Sequence, residues 1–176
     1  MRTNNILKLY RSATVGELYN GEHWYDEARY FCAGVAVEHG LELGNVVCAL
    51  AHLSPRVTWA QNKRKLIQVI TLGDTYGIRS HVSKARESLY SATPFDTFGE
   101  KAYKTSRFAR NIIGDYQPVT VDTWAAKAAT GRVVKDISKG LYLELEDTYQ
   151  RAAKSVGTTP AQLQAVVWCV IRGKAD

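Results

Sequence analysis

Cysteine is scarce and scattered: Cys32, Cys48 and Cys169 form no CxxC pair. A disulfide framework, an iron–sulfur cluster and a cysteine-built zinc site are therefore excluded, and the pattern suits a reducing cytoplasm. The four histidines, His23, His39, His52 and His81, show no ligand spacing, so neither a metal nor a cofactor is expected. Apolar runs are short. The longest, Ala161–Ile171 and Val46–Leu53, fall well below the roughly 18 residues of a membrane span. Met1–Tyr10 holds Arg2 and Lys8 but neither an apolar h-region nor a small-residue cleavage site. No export signal and no membrane partner are expected, and the expected location is the cytoplasm. What is present is ordinary globular chemistry: 45% hydrophobic and 23% charged residues, which excludes wholesale disorder. A length of 176 residues suits one domain, residues 1–176, open to division into two lobes.

The net charge of +6 is unevenly placed. Residues 63–110 carry ten basic and four acidic side chains, whereas residues 1–30 balance at four of each. The stretch opens on Lys63-Arg64-Lys65 and closes on Lys101, Lys104, Arg107 and Arg110. So local an excess suits either a polyanion partner, nucleic acid being the usual one, or a solvated helix face. Gly73, Gly77 and Pro94 interrupt it, which excludes a basic amphipathic membrane helix.

The apolar spacing predicts an all-α chain. A helix is expected over Glu22–His39, with Tyr25, Ala28, Phe31, Cys32, Val35 and Ala36 on one stripe. Val46–Leu53 reads as a buried helix stopped by Ser54-Pro55. Thr58 is placed to cap a helix from Trp59 to Thr71, with Gly73 beyond it. Ser80–Tyr90 and Lys101–Ile113 are further helices, separated by a loop over Ser91–Phe98. Asp122 opens a helix ending before Gly131, and Ser138–Val156 and the core segment after Thr159-Pro160 complete the chain. No repeat or low-complexity tract appears.

Two residues stand out for chemistry: Lys104 in Lys104-Thr105-Ser106-Arg107, and Asp122 in Val119-Thr120-Val121-Asp122-Thr123-Trp124. Helix, reversal and second helix could bring them to one end of the structure. Asp122 would then sit at a helix N-terminus, where the dipole and unpaired N–H groups favour negative charge.

Lys104-Thr105 followed by Val121-Asp122-Thr123 is similar to the core of the helix-hairpin-helix (HhH-GPD) DNA glycosylases, in which a hairpin glycine motif leads into Lys-Thr and then Val-Asp-Thr-His. More closely, the chain resembles small phage-encoded relatives of that superfamily. The residues carrying this are Trp24-Tyr25-Asp26-Glu27-Ala28, Ala51-His52-Leu53-Ser54-Pro55, Trp59-Ala60-Gln61-Asn62, Lys104–Asp115, Val119–Asp122 and Gln164-Ala165-Val166-Val167-Trp168. The likeness runs from about Trp24 to Gly173. It departs from the enzymes: the two hairpin glycines are missing at their usual offsets, leaving only Gly99, Trp124 replaces the histidine after Asp-Thr, the cysteine cluster of some members is absent, and the chain is shorter than most members.

The resemblance implies a two-lobed, all-α glycosylase-like fold, with Lys63–Arg110 in the basic lobe, and a DNA partner. It implies an enzyme that everts a modified, damaged or mismatched base, in the host cytoplasm if the protein is phage-encoded. Asp122 would stabilise positive charge on the sugar, or else simply cap its helix. Lys104, if desolvated beside Lys101 and Arg107, would attack the anomeric carbon and give AP-lyase activity; otherwise it contacts phosphate or solvent. Arg56, Gln61, Lys63, Arg64, Lys65, Lys101 and Arg107 are the expected DNA contacts, and Trp59, His52 and Trp124 the expected base pocket or wedge, with core packing the alternative for Trp59. Three other functions remain open: a thymine-hypermodifying transferase on the same scaffold, a non-catalytic DNA binder, and a protein inhibitor whose basic stretch meets an acidic partner.

Overall fold

The structure, a computed structural model, describes residues 2–173. All regular structure among them is helical: α1 Arg2–Arg11, α2 Val15–His39, α3 Leu43–Leu53, α4 Trp59–Leu72, α5 Arg79–Leu89, a 3-10 turn Pro94–Thr97, α6 Tyr103–Ile113, α7 Thr123–Thr130, α8 Lys139–Val156 and α9 Pro160–Arg172. The all-α expectation therefore holds. No helix among the described residues is long and apolar enough to cross a membrane.

Caps explain the boundaries. Thr58 and Gln61 form a reciprocal capping box at the start of α4, each side chain bonded to the other's backbone N–H. Asp122, Ser138 and Thr159 each accept a backbone N–H from the first turn of α7, α8 and α9. α2 begins earlier than its apolar stripe suggests. Thr14 and Glu17 make a second reciprocal box, which starts the helix at Val15.

The described residues divide into two compact units, one of residues 27–113 and one that joins residues 2–26 to residues 114–173. In the continuous unit, α3 is the hub: Val46 to Leu53 are buried along its length, and α4, α5, α6 and the 3-10 turn pack on it. Asn45 ties α3 to the end of α5 by donating to the carbonyls of Ser88 (2.7 Å) and Ser91 (2.8 Å). In the discontinuous unit, α1, α7, α8 and α9 pack on one another around Ile6, Leu145, Tyr149, Leu163 and Val166. Gly21 in α2 is needed there for close approach: a Cβ at this position would run into the backbone and side chain of Val166.

Candidate functional site

In the discontinuous unit, three of the motifs noted above meet around Asp122. The segment leading to it is held by buried side chains of α8. Glu146 accepts the backbone N–H of Val119 (3.0 Å). The Tyr142 hydroxyl donates to the carbonyl of Val119 (2.8 Å) and accepts the N–H of Val121 (3.0 Å). Two turns further along α8 from Tyr142, Tyr149 donates to the carbonyl of Ala125 (3.0 Å). The loop is thus fixed by groups that leave few backbone partners to water.

Asp122 is half-buried and uses both carboxylate oxygens. Oδ1 accepts the N–H of Ala125 (2.7 Å) and caps α7, while Oδ2 accepts the indole N–H of Trp168 on α9 (3.1 Å). A carboxylate offers about four lone-pair positions, so two remain. Beside it lies Tyr25, whose hydroxyl donates to Gln164 Oε1 (2.8 Å). Burial pushes the Tyr25 phenol up, Thr120 opposes this by hydrogen bonding, and the Asp122 charge adds to the rise. Cations stand on the indoles: Arg172 lies 4.5 Å from the Trp168 ring and 5.9 Å from the Trp124 ring, and Lys127 lies 5.1 Å from Trp124. Trp124, expected in a base pocket, is 36% exposed among them.

Every other expected site residue belongs to residues 27–113. Lys104 is exposed near the start of α6, and Lys101 is exposed just before it. Arg107 is half-buried, with its guanidinium over the Tyr103 ring at 5.6 Å. The desolvated lysine is a different one: Lys65 on α4 is only 4% exposed, and burial lowers its pKa. Of its neighbours in the charge run, Arg64 is exposed, and Lys63 stands over both Phe31 and Trp59 (5.5 and 5.4 Å). Trp59 packs edge-on against Phe31, with ring centres 5.9 Å apart, and Gln61 spends its amide oxygen on the Thr58 cap. Arg56 is exposed, with φ of 63°.

His52 is buried and lies against the ring of Phe98, with centres 4.2 Å apart. Its Nε2 is 2.8 Å from Thr97 Oγ1, whose own proton goes to the carbonyl of Pro94 (2.6 Å). That pattern assigns the proton to Nε2. Burial above all, then the charges of Lys84 and His81, lowers the pKa of His52 to about 4. A neutral imidazole wedged between a ring and a hydroxyl is a packing element here.

No group of three or more His, Cys, Asp or Glu among the described residues could hold a metal ion. A shallow depression of about 340 Å³ runs along α1, lined by Asn4, Leu7, Lys8, Arg11 and Ser12, and holds none of the expected site residues.

The chain belongs to a family of unknown function, DUF7178, which it matches over residues 1–175. No curated protein and no solved structure matches it.

Proposed function

We propose that this protein is a DNA-binding enzyme of the base-everting, N-glycosylase type, with residues 27–113 supplying the DNA contacts and Asp122 the anionic group. The observation that carries the DNA reading is the make-up of two helices: α4 and α6 hold Lys63, Arg64, Lys65, Lys104, Arg107 and Arg110 and not one carboxylate. Cations concentrated in this way gain affinity for a phosphate backbone by releasing condensed counterions, which makes binding steeply salt-dependent. The support for chemistry is Asp122. It is held by an indole and a helix N-terminus, and two of its lone pairs remain for a cationic sugar in an oxocarbenium-like transition state. In this reading exposed Lys104 is a phosphate contact, with lyase chemistry as its alternative.

A second reading, a non-catalytic DNA binder, is favoured by the same two hydrogen bonds, because a capping aspartate needs no further role. Asp122→Asn separates the two readings, since an amide oxygen can still accept the Ala125 N–H and preserve α7. For the enzyme, the variant keeps its affinity for duplex oligonucleotides but yields no altered product when the DNA is digested and its nucleosides are weighed. For the binder, the wild type itself yields none. A free base with an alkali-labile strand identifies a glycosylase, and a mass change in an intact nucleoside identifies a transferase. Duplex affinity that is weak and indifferent to salt overturns both readings.

A further inference from the structure

We infer that the turn between α4 and α5 is a docking tip for single-stranded nucleic acid, with Tyr76 as the platform on which an unpaired base stacks. Leu72, Tyr76 and Ile78, all within this short segment, are 75%, 50% and 43% exposed. Single exposed apolar residues need no explanation, but three on one turn make a local apolar surface of the kind that marks an interaction site. The turn that carries them is fixed. Gly73 ends α4 in a left-handed conformation, with its N–H on the carbonyl of Val69 (3.0 Å). Thr75 is buried: its hydroxyl donates to Gln68 Oε1 (2.6 Å) and its N–H to Asp74 Oδ1 (2.9 Å), and Asp74 in turn pairs with Arg79. Gly77 holds φ of 117°, which glycine adopts readily and other residues do not. Lys65 Nζ stands over the Tyr76 ring, 5.2 Å from its centre. An aromatic ring steadied by an ammonium and half open to water is pre-organised for stacking, because little of its freedom is left to lose on binding.

Charge selects the partner. Residues 63–90, which run from α4 through the turn to the end of α5, carry six basic and two acidic side chains. Both acids are paired, Asp74 with Arg79 and Glu87 with Lys84 (2.7 Å). Lys63, Arg64, Lys65 and Arg86 have no ion pair with any described residue. An apolar tip on helices with a surplus of cations complements a polymer that has flat apolar faces and a negative charge on every link, which is nucleic acid. Within a duplex both faces of a base are covered by its neighbours, whereas an unpaired base offers a face to a side chain. The tip therefore favours single strands.

The tip rests on the nucleic-acid reading of residues 27–113 and not on Asp122, so base-everting chemistry can fail while the tip stands. The test follows fluorescence anisotropy of a short labelled single strand, as DNA and as RNA, and of the matching duplex, on titration with the full chain. Wild type is expected to bind the single strand, and the tighter of the two sugars names the natural one. Tyr76→Ala weakens single-strand binding by about tenfold and leaves duplex binding unchanged. Tyr76→Phe keeps the ring and the affinity. Tyr76→Leu keeps apolar bulk over Lys65 but offers no aromatic face, and it loses affinity as the alanine variant does. Tyr90→Ala, which removes an exposed tyrosine at the other end of α5, changes nothing. Duplex binding that persists while Tyr76→Ala leaves single strands untouched overturns the tip and spares the DNA reading. No single-strand binding by the wild type, or an equal loss on the duplex, overturns the single-strand assignment. Polyglutamate that competes as well as the oligonucleotide identifies an acidic protein partner and overturns it too.

Discussion

In the unit that joins the chain termini, buried polarity is spent on architecture. Glu146 and Tyr142 bind the backbone of the loop before Asp122, Tyr149 binds α7, and Trp168 fixes the carboxylate of Asp122 itself. Residues 27–113 treat polarity differently. Lys65 is covered to 4% exposure with no ion pair to a described residue, the buried amide oxygen of Asn62 meets no partner, and His52 is held uncharged. The basic surplus lies in the same unit, with twelve basic against seven acidic side chains in residues 27–113. A loop whose backbone groups are met by buried side chains has its geometry over-determined.

The largest contrast should come from Tyr142→Phe. It strands the carbonyl of Val119 and the N–H of Val121 in the interior, at a cost of about 3 kcal/mol in urea unfolding. A loss below about 1 kcal/mol would mean that the clamp is ornamental and the two units are alike.

Next is the response to acid. The pKa of His52 in the folded chain, about 4, lies below its value of 6.5 in an unfolded chain, so the unfolded state binds the extra proton between those pH values. Its contribution to stability is therefore complete above about pH 6.5 and is lost as pH falls towards 4, by up to about 3 kcal/mol. Urea midpoints measured across that window should fall for the wild type. They should fall less for His52→Gln, which keeps a donor for Thr97 but does not titrate. Parallel profiles would remove His52 as the cause.

The smallest effect expected is a gain. Lys65→Met should raise stability by at most about 1 kcal/mol, because the buried aliphatic stem is replaced by a thioether of similar bulk. A marked loss instead would place Lys65 among the structural contacts and erase the difference between the units.

Much of the fold is legible from local signals. The Thr58 cap, the stops at Gly73, Gly131 and Gly157, and the proline opening α9 act within a turn of their own position, and the structure shows each. The start of α2 carried an equally local signal, Thr14-x-x-Glu17, which the apolar stripe alone does not reveal. The candidate site was legible in its residues but not in its contacts. That Asp122 would meet Trp168, 46 positions away, depends on how α7 and α9 pack, which no spacing rule encodes. Lys65 shows the opposite failure. Inside the run Lys63-Arg64-Lys65 it looks solvated, yet it lies at helical spacing with Asn62, Leu66 and Val69, all buried. Helical phase outweighed charge.

The three scattered cysteines have a practical consequence. All are buried, and burial pushes the thiols of Cys32 and Cys48 up to about 12 and that of Cys169 to about 11. Alkylating reagents attack the thiolate, which is rare at neutral pH in the folded chain and more abundant once it opens. Labelling followed by peptide mass analysis would therefore time unfolding with native probes alone, Cys169 keeping the clock for one unit and Cys32 and Cys48 for the other.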